Sequence, residues 1–226
     1  MVVTDEAFEP YRERYEDIGN PDIEVTVFTF DLFRRYATWG SPEAWDRYNF
    51  AHFKALVDKT GEAQPLIEDK ATIPSTEVST FVARALDHYI NQVYRSLKCV
   101  RDGQYIGARF EAAEGINPLL DAVFALNGRT RPYFKYLEWE FRHYPLPKLG
   151  IEPEEFVRVL FEILISGDVT IQQALFDRIE GLFRAEGYGS VFESWCGKLT
   201  WIKTFRPERN EVWHSPCPTA TLTIPH

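Results

Sequence analysis

The sequence predicts an α+β protein: a small, incomplete mixed sheet in residues 1–70, then a mainly antiparallel helical bundle in residues 71–205 and an extended tail in residues 206–226. Three observations lead to this prediction. Short runs rich in β-branched residues occur in the first segment. Long segments with apolar residues at i, i+3, i+4 and i+7 follow it. The final stretch, RPERNEVWHSPCPTATLTIPH, is dense in Pro, Thr and Ser, which is typical of an extended tail.

The first segment combines short strand patterns with short helices. Val2 and Val3 resemble the end of a strand, after which Asp5 caps a helix that reaches about Tyr15. Residues 22–30, DIEVTVFTF, alternate and are predicted as a strand, as are residues 53–58, FKALVD. Short helices are predicted between them, at 31–36 and 41–50. So few short strands make a poor sheet for a domain that stands alone, so we expect this sheet to include residues upstream of Met1.

The second segment is organised around the stretch from Ser75 to Arg101. Its apolar residues recur at helical spacing, which predicts a long helix with one buried face. Pro74 precedes its first turn, and Arg101-Asp102-Gly103 is a typical end. The positions predicted to be buried are Val78, Phe81, Leu86, Ile90, Val93 and Leu97. Further helices are predicted at 103–127, 132–144, 152–165 and 169–186, and one more within 187–205.

A polar stripe runs along this helix beside the apolar face. Its members, three or four positions apart, are Arg84, His88, Asn91, Arg95 and Lys98. A stripe of this kind is most often a solvated surface. The alternative is a helix that presents cations to an anionic ligand, and the helix alone does not decide between the two.

Composition limits the function classes. The chain is 45% hydrophobic and 26% charged, as in ordinary globular proteins. Its formal charge of −9 argues against general nucleic-acid binding, which needs an excess of Lys and Arg, but suits a cationic small substrate or solubility alone. We see no apolar run near the roughly 20 residues of a membrane span, and no secretory signal in MVVTDEAFEP. The three cysteines include no Cys-x-x-Cys pair, so reduced thiols and a cytoplasmic location are expected.

Isolated motifs point to little chemistry. Glu140-x-x-His143 has the spacing of a di-iron bundle ligand pair, but the chain has no second copy. Gly-rich phosphate loops and a Gly-x-Ser-x-Gly elbow are absent from the sequence. Asp22 and Glu24 lie on one face of a predicted strand and could together hold a divalent cation. Taken alone, two exposed acids on an edge strand explain them more simply.

In combination, three stretches resemble a known family. They are YRSLKCVRDG at 94–103, GARFEAAE at 107–114 and NGRTRPYFKYLEWE at 127–140. These are similar to the helical C-terminal half of bacterial nucleotidyltransferases of the polymerase-β-like superfamily, such as those that modify aminoglycosides and lincosamides. The resemblance covers roughly residues 1–145, is strongest at 94–140 and is weak beyond 150. It implies a nucleotidyltransferase-like sheet and Mg²⁺-dependent transfer of a nucleoside monophosphate from an NTP to a hydroxyl of a small molecule.

The resemblance also implies roles for particular residues. The family pattern has a Gly-Ser turn, an Asp-x-Asp pair on the next strand and a third carboxylate on a neighbouring strand. Glu24 matches the third carboxylate, so it is the expected catalytic and metal-binding residue, with Asp22 as a further metal ligand. The other two motifs would lie before Met1. We therefore expect the 226-residue chain to be impaired in the family's reaction.

The bundle is expected to supply the remaining contacts. By the resemblance, Lys98 and its neighbour Arg95 bind the nucleotide phosphates. Glu111, Glu114 and Tyr94 are candidates for the base or for substrate contacts, although a solvated or capping pair explains the two glutamates equally well. The expected partners are an NTP and a small hydroxylated substrate, with a homodimer left open and with no nucleic acid or membrane.

Two other hypotheses compete. In the first, the chain is a non-catalytic helical module that binds a partner or dimerises. In the second, it is a ribonuclease-type helical bundle, which needs four to six residues between Arg and His on a helix. Arg84 and His88 have only three between them, so this hypothesis ranks last.

Overall fold

The computed structural model describes residues 1–16 and 23–207. This part of the chain is mostly helical and contains one two-stranded parallel sheet. The strands are β1 Val2–Val3 and β2 Phe28–Thr29. The helices are α1 Asp5–Tyr15, α2 Phe30–Arg35, α3 Ala63–Ala71, α4 Ser75–Arg101, α5 Tyr105–Leu126, α6 Leu137–His143, α7 Pro153–Ser166, α8 Val169–Ala185, α9 Gly189–Glu193 and α10 Cys196–Thr204, with 3₁₀ helices at Ala44–Phe50 and Phe134–Tyr136. Within the described residues, no helix is both long and apolar enough to cross a bilayer.

The sheet pairs the start of the chain with the segment after the first helix. Val2 lies opposite Phe28, in parallel, and the next residues pair in the same register. The pairing extends one residue back, because the amino group of Met1 donates to the carbonyl of Thr26 at 2.7 Å. The predicted strand at Val2–Val3 is confirmed.

The predicted strand over 22–30 is correct only at Phe28–Thr29. Residues 23–27 are not in a strand, and Phe30 already begins α2. The cap of this helix is Thr29, whose hydroxyl accepts from the N–H of Leu32 at 3.2 Å. Alternation marks a segment that can form a strand, but a strand also needs a neighbour for its backbone groups. Asp22 lies outside the described residues.

The predicted strand over 53–58 is wrong. This segment is irregular, with Leu56 97% and Val57 73% exposed. Asp58 ends it by accepting from the N–H groups of Gly61 and Gln64 at 2.8 and 3.0 Å, which leads into α3. These backbone hydrogen bonds, that from Gln64 first, lower the pKa of Asp58. Helix α3 was not predicted, because its Pro and charged residues obscure the apolar period.

Helix α4 has the predicted bounds and face. Leu86, Ile90, Val93 and Leu97 are buried, whereas Val78 and Phe81, in its first turns, are only partly buried. Its buried side packs along α5. A glycine allows this close approach, since a Cβ at Gly115 would lie 3.4 Å from that of Gln92.

The remaining predicted helices are confirmed in outline. Pro153 opens α7, and the side chain of Asp168 caps α8 by accepting from Ile171 N–H at 2.9 Å. The predicted helix 132–144 is a 3₁₀ turn followed by α6, and 187–205 divides into α9 and α10. One apolar core joins α4, α5, α6, α7 and α8.

Candidate functional site

Five predicted site residues lie on α4 and α5, and four of them form two separate contacts. The guanidinium of Arg95 forms an ion pair with Glu111 at 2.5 Å, and the ammonium of Lys98 lies 5.4 Å from the ring centroid of Tyr94. Glu114, one turn further along α5, is exposed. Part of the predicted polar stripe is therefore a paired acid–base surface rather than a row of free cations.

Tyr94 has a clear packing role. Its ring lies against Trp195 and Trp201, with centroids 5.8 and 5.4 Å away. A second cation, the ammonium of Lys198, sits 5.6 Å from the same ring. The tyrosine thus joins α4 to α10, with cations on its exposed side.

Glu24 is exposed, in the irregular stretch before β2. Among the described residues, no hydrogen bond or ion pair connects it to Arg95 or Lys98. The N-terminal segment, residues 1–70, meets α4 near the start of that helix, where the ring of Trp39 packs on that of Phe81 with centroids 5.2 Å apart. Lys98 lies almost five turns further along that helix, about 25 Å at 1.5 Å per residue. The resemblance implies that Glu24 and Lys98 act on the same nucleotide, and a site that they share stays a prediction.

The most elaborate polar cluster centres on Glu140, whose side chain is only 1% exposed. We call it the Glu140 cluster, made of Glu140, Tyr48, His52 and Arg129. The hydroxyl of Tyr48 donates to Oε2 at 3.0 Å, and His52 Nε2 lies 2.9 and 3.1 Å from the two carboxylate oxygens. The guanidinium of Arg129 donates to Oε1. A buried carboxylate thus has three partners, two of them from the N-terminal segment.

Glu140 and His143, which have the spacing of a ligand pair, form no hydrogen bond or ion pair with each other. His143 is exposed, and its Nδ1 lies 2.8 Å from the carbonyl of Trp139 on the same helix. The imidazole that does reach Glu140 belongs to His52, far away in the sequence. Residues three apart on a helix can share a ligand, but here Glu140 points into the core.

Aromatic rings enclose the Glu140 cluster. His52 stacks on Tyr144 with centroids 3.9 Å apart, and Trp139 packs on its edge at 5.5 Å. Tyr48 packs edge-on against Tyr133 at 5.6 Å. Burial, together with the hydrogen bond to Glu140, raises the pKa of Tyr48, so this tyrosine remains a neutral donor at physiological pH. The rings exclude water from the carboxylate and strengthen its hydrogen bonds.

Buried charges within the N-terminal segment continue this polar region. Asp46 accepts from the hydroxyls of Tyr36 and Tyr133, the second of which belongs to the helical part of the chain. Arg47, 1% exposed, donates to the carbonyls of Ala37, Thr72 and Asp69, at 2.9 and 2.6 Å for the first two. Burial lowers the pKa of Arg47, opposed by the attraction of Asp69.

A second buried cation lies beside Arg47. Lys70, also 1% exposed, donates to the carbonyls of Arg34 and Tyr36 at 3.2 and 2.7 Å, at the end of α2. Burial, and then repulsion from Arg47, lowers its pKa. Arg47 and Lys70 therefore tie parts of the N-terminal segment to one another. The links from that segment to the helical part of the chain include the Glu140 cluster and the hydroxyl of Tyr133 on Asp46.

Metal-ligand groups and clefts give no further candidate site among the described residues. Within the part of the chain that the structure describes, no three His, Cys, Asp or Glu side chains are grouped to hold a metal ion. Mg²⁺ at Glu24 and Asp22 therefore stays a prediction. A cleft of about 250 Å³ between α7 and α8 is mostly apolar, with an ion pair of Arg178 and Glu155 at 2.6 Å on its lining. None of the predicted site residues lines it.

Comparisons of the chain with family models, with curated proteins and with solved structures found no match.

Proposed function

We propose that this chain is a nucleotidyltransferase-like protein. The family's reaction is Mg²⁺-dependent transfer of a nucleoside monophosphate from an NTP to a hydroxyl of a small, aminoglycoside-like molecule, and the proposal has this reaction impaired in the 226-residue chain. The supporting observation is the parallel pairing of Val2–Val3 with Phe28–Thr29. The family pattern likewise places the strand that carries Asp-x-Asp next to the strand that carries the third carboxylate, and Glu24 lies four residues before β2.

The register of this pairing makes the proposal concrete. Val2 lies opposite Phe28. If the pairing continued in the same register through the irregular residues 24–27, the third residue before Met1 would lie beside Glu24. Carboxylates on adjacent strands are about 5 Å apart, close enough to share a cation. The proposal therefore treats β1 and β2 as part of a larger mixed sheet that positions Glu24 and upstream carboxylates around Mg²⁺.

In this proposal, the helices that follow the sheet form an antiparallel bundle. Two contacts support this arrangement: Ser96 on α4 donates to the carbonyl of Ala108 at the start of α5, and Gly167 after α7 lies against Arg109 on α5. Short connections between packed helices also favour antiparallel neighbours.

The proposal assigns Arg95 and Lys98 to the nucleotide phosphates. The ion pair of Arg95 with Glu111 does not prevent this, because the guanidinium side chain is 56% exposed. Exposed pairs contribute only about 0–1 kcal/mol, so a triphosphate can replace the carboxylate. Glu111 is then released, which keeps it, with Glu114 and Tyr94, among the candidates for the base.

The test is pyrophosphate release from ATP and other NTPs with Mg²⁺ and a panel of aminoglycosides and lincosamides. It compares the 226-residue chain with one extended by whatever in-frame residues are encoded before Met1. We expect no turnover by the shorter chain and metal-dependent turnover by the longer one. In the longer chain, Glu24→Ala should reduce turnover at least 100-fold without changing the far-ultraviolet circular dichroism, since losing a metal ligand removes charge stabilisation at the reacting phosphate.

The matched control is Glu6→Ala, which removes an exposed carboxylate from α1 and should leave turnover unchanged. Robust turnover by the 226-residue chain would mean that the active site lies elsewhere. An inactive longer chain, or one indifferent to Glu24→Ala, would instead favour the non-catalytic helical module.

A further inference from the structure

Helices α5 and α7 expose an unusual amount of apolar surface. We call it the α5/α7 face, made of Ile106 and Phe110 on α5 and Phe161, Leu164 and Ile165 on α7. Their exposed fractions are 75%, 69%, 59%, 48% and 57% in that order. Single exposed apolar residues are ordinary on protein surfaces, but a contiguous group of five is not.

The helix contacts show that the two halves of the face adjoin. Gly167, directly after α7, lies so close to Arg109 that an added Cβ would be 3.1 Å from its Cγ. Further along, Leu160 and Ile163 of α7 share an interior space with α5. These contacts set the facing sides of the two helices. At 100° per residue, Ile106 and Phe110 then fall on the same flank of the helix pair as Phe161 and Leu164.

Helix α7 is apolar around most of its circumference. Phe156, Leu160 and Ile163 are buried against the rest of the chain. Phe161, Leu164 and Ile165 lie on the opposite and flanking sides of this helix. A helix at the surface of a protein normally turns polar residues outward, and one that is apolar all round is buried. The outer side of α7 therefore carries exposed apolar residues beside the exposed ion pair of Arg158 and Glu162, and a second surface that covers it would bury apolar area.

We propose that the α5/α7 face binds a second copy of this chain in a two-fold symmetric dimer. The five side chains expose roughly 600 Å² of apolar area, at the upper end of the largest patch on a typical monomer and, with a polar rim, near the ~800 Å² that each partner contributes to a standard interface. No member of the face is charged, and homodimer interfaces are the more apolar class. The ion pair of Arg158 and Glu162 on α7, at 2.6 Å, supplies both charge signs nearby, as a self-complementary contact requires.

This dimer is independent of nucleotidyl transfer. Each copy carries a formal charge of −9, so long-range electrostatics oppose association and the apolar face drives it. Salt screens that repulsion and does not weaken apolar contacts. The dimer should therefore persist, or become tighter, when NaCl is raised from 0.05 to 0.5 M.

The test is sedimentation equilibrium of the full chain from 1 to 100 µM. We expect a mass of twice the 26.3 kDa of one chain at the higher concentrations. Phe161→Glu and Ile106→Glu, one from each half of the face, should each raise the dimer dissociation constant at least 100-fold, because both place a charge in an apolar interface. Both positions are more than half exposed, so the variants should keep the circular dichroism and melting temperature of a folded chain.

Leu56→Glu is the matched control, since it puts the same charge on an equally apolar residue that is 97% exposed and lies outside the face. It should dimerise like the unmodified chain. A chain that is monomeric at 100 µM overturns the proposal, as does a dimer that survives Phe161→Glu or Ile106→Glu, or one that Leu56→Glu dissociates equally well. Growth to higher oligomers without a plateau at two copies also contradicts it.

Discussion

Replacing Glu140 by alanine should lower the free energy of unfolding more than any nearby surface substitution does. The substitution removes the acceptor for the hydroxyl of Tyr48, for Nε2 of His52 and for the guanidinium of Arg129. It also breaks the link between the N-terminal segment and α6, since Tyr48 and His52 both belong to that segment. The loss is therefore one of several coupled contacts rather than of a single ion pair.

The expected cost follows from the burial of each partner. Removing one member of a buried ion pair costs about 3–5 kcal/mol, because the other charge remains desolvated. The cost for Arg129 lies at the lower end of this range, because its side chain is 24% exposed and it also donates to the carbonyl of Tyr144 at 2.7 Å. The buried hydroxyl of Tyr48 adds about 1 kcal/mol or more. We therefore expect a loss of about 4 kcal/mol in the free energy of unfolding.

The measurement is urea denaturation followed by circular dichroism and tryptophan fluorescence. Trp139 packs on His52 and contributes to this emission together with the other five tryptophans of the chain. At about 2–4 °C per kcal/mol for a chain of this size, the melting temperature should fall by on the order of 10 °C. Glu140→Gln, which keeps an acceptor but loses the charge, should cost about half as much.

The control is Glu138→Ala, which removes an exposed carboxylate from the same helix and should change stability by less than about 0.5 kcal/mol. If Glu140→Ala is within 1 kcal/mol of this control, the cluster does not hold the two parts of the chain together, and the reasoning from its burial is wrong.

Two further predictions concern other buried charges. Arg47→Met should cost about 3 kcal/mol in urea denaturation because it removes the donor from one buried and two part-buried carbonyls, whereas the exposed Arg35→Met should change little. Glu180 should make stability depend on pH: burial by itself raises its pKa, but hydrogen bonds from Lys203 and Arg184 outweigh burial and leave the pKa lowered. The contribution of Glu180 to stability is therefore present above the carboxyl pKa of the unfolded chain, about 4.3. It is lost as the pH falls through the lower pKa of the folded chain. Glu180→Gln should accordingly destabilise the chain more at pH 7 than at pH 3, and an equal effect at both pH values would contradict this.

The sequence by itself determined the helices best, because their hydrogen bonds are local. The period of apolar residues in Ser75–Arg101 was enough for both the bounds of α4 and most of its buried face. Pro153 and Asp168 likewise mark the starts of α7 and α8, since both act within one turn of their own positions.

Strands could not be predicted as well from the same kind of pattern. Residues 53–58 alternate like a strand yet are irregular, and of the described part of 22–30 only Phe28–Thr29 pairs. The difference lies in the partner strand, which is distant in the sequence and which alternation does not report.

The Glu140 cluster was decided by the tertiary structure alone. In the sequence, the nearest imidazole to Glu140 is that of His143, three residues away, and local spacing favours that pair. In the fold, α6 turns Glu140 into the core and leaves His143 outside, while the 3₁₀ helix Ala44–Phe50 brings Tyr48 and His52 to the carboxylate from the other part of the chain. A buried charge needs partners on every side. Only packing between distant segments can provide these partners, so no local sequence pattern identifies them.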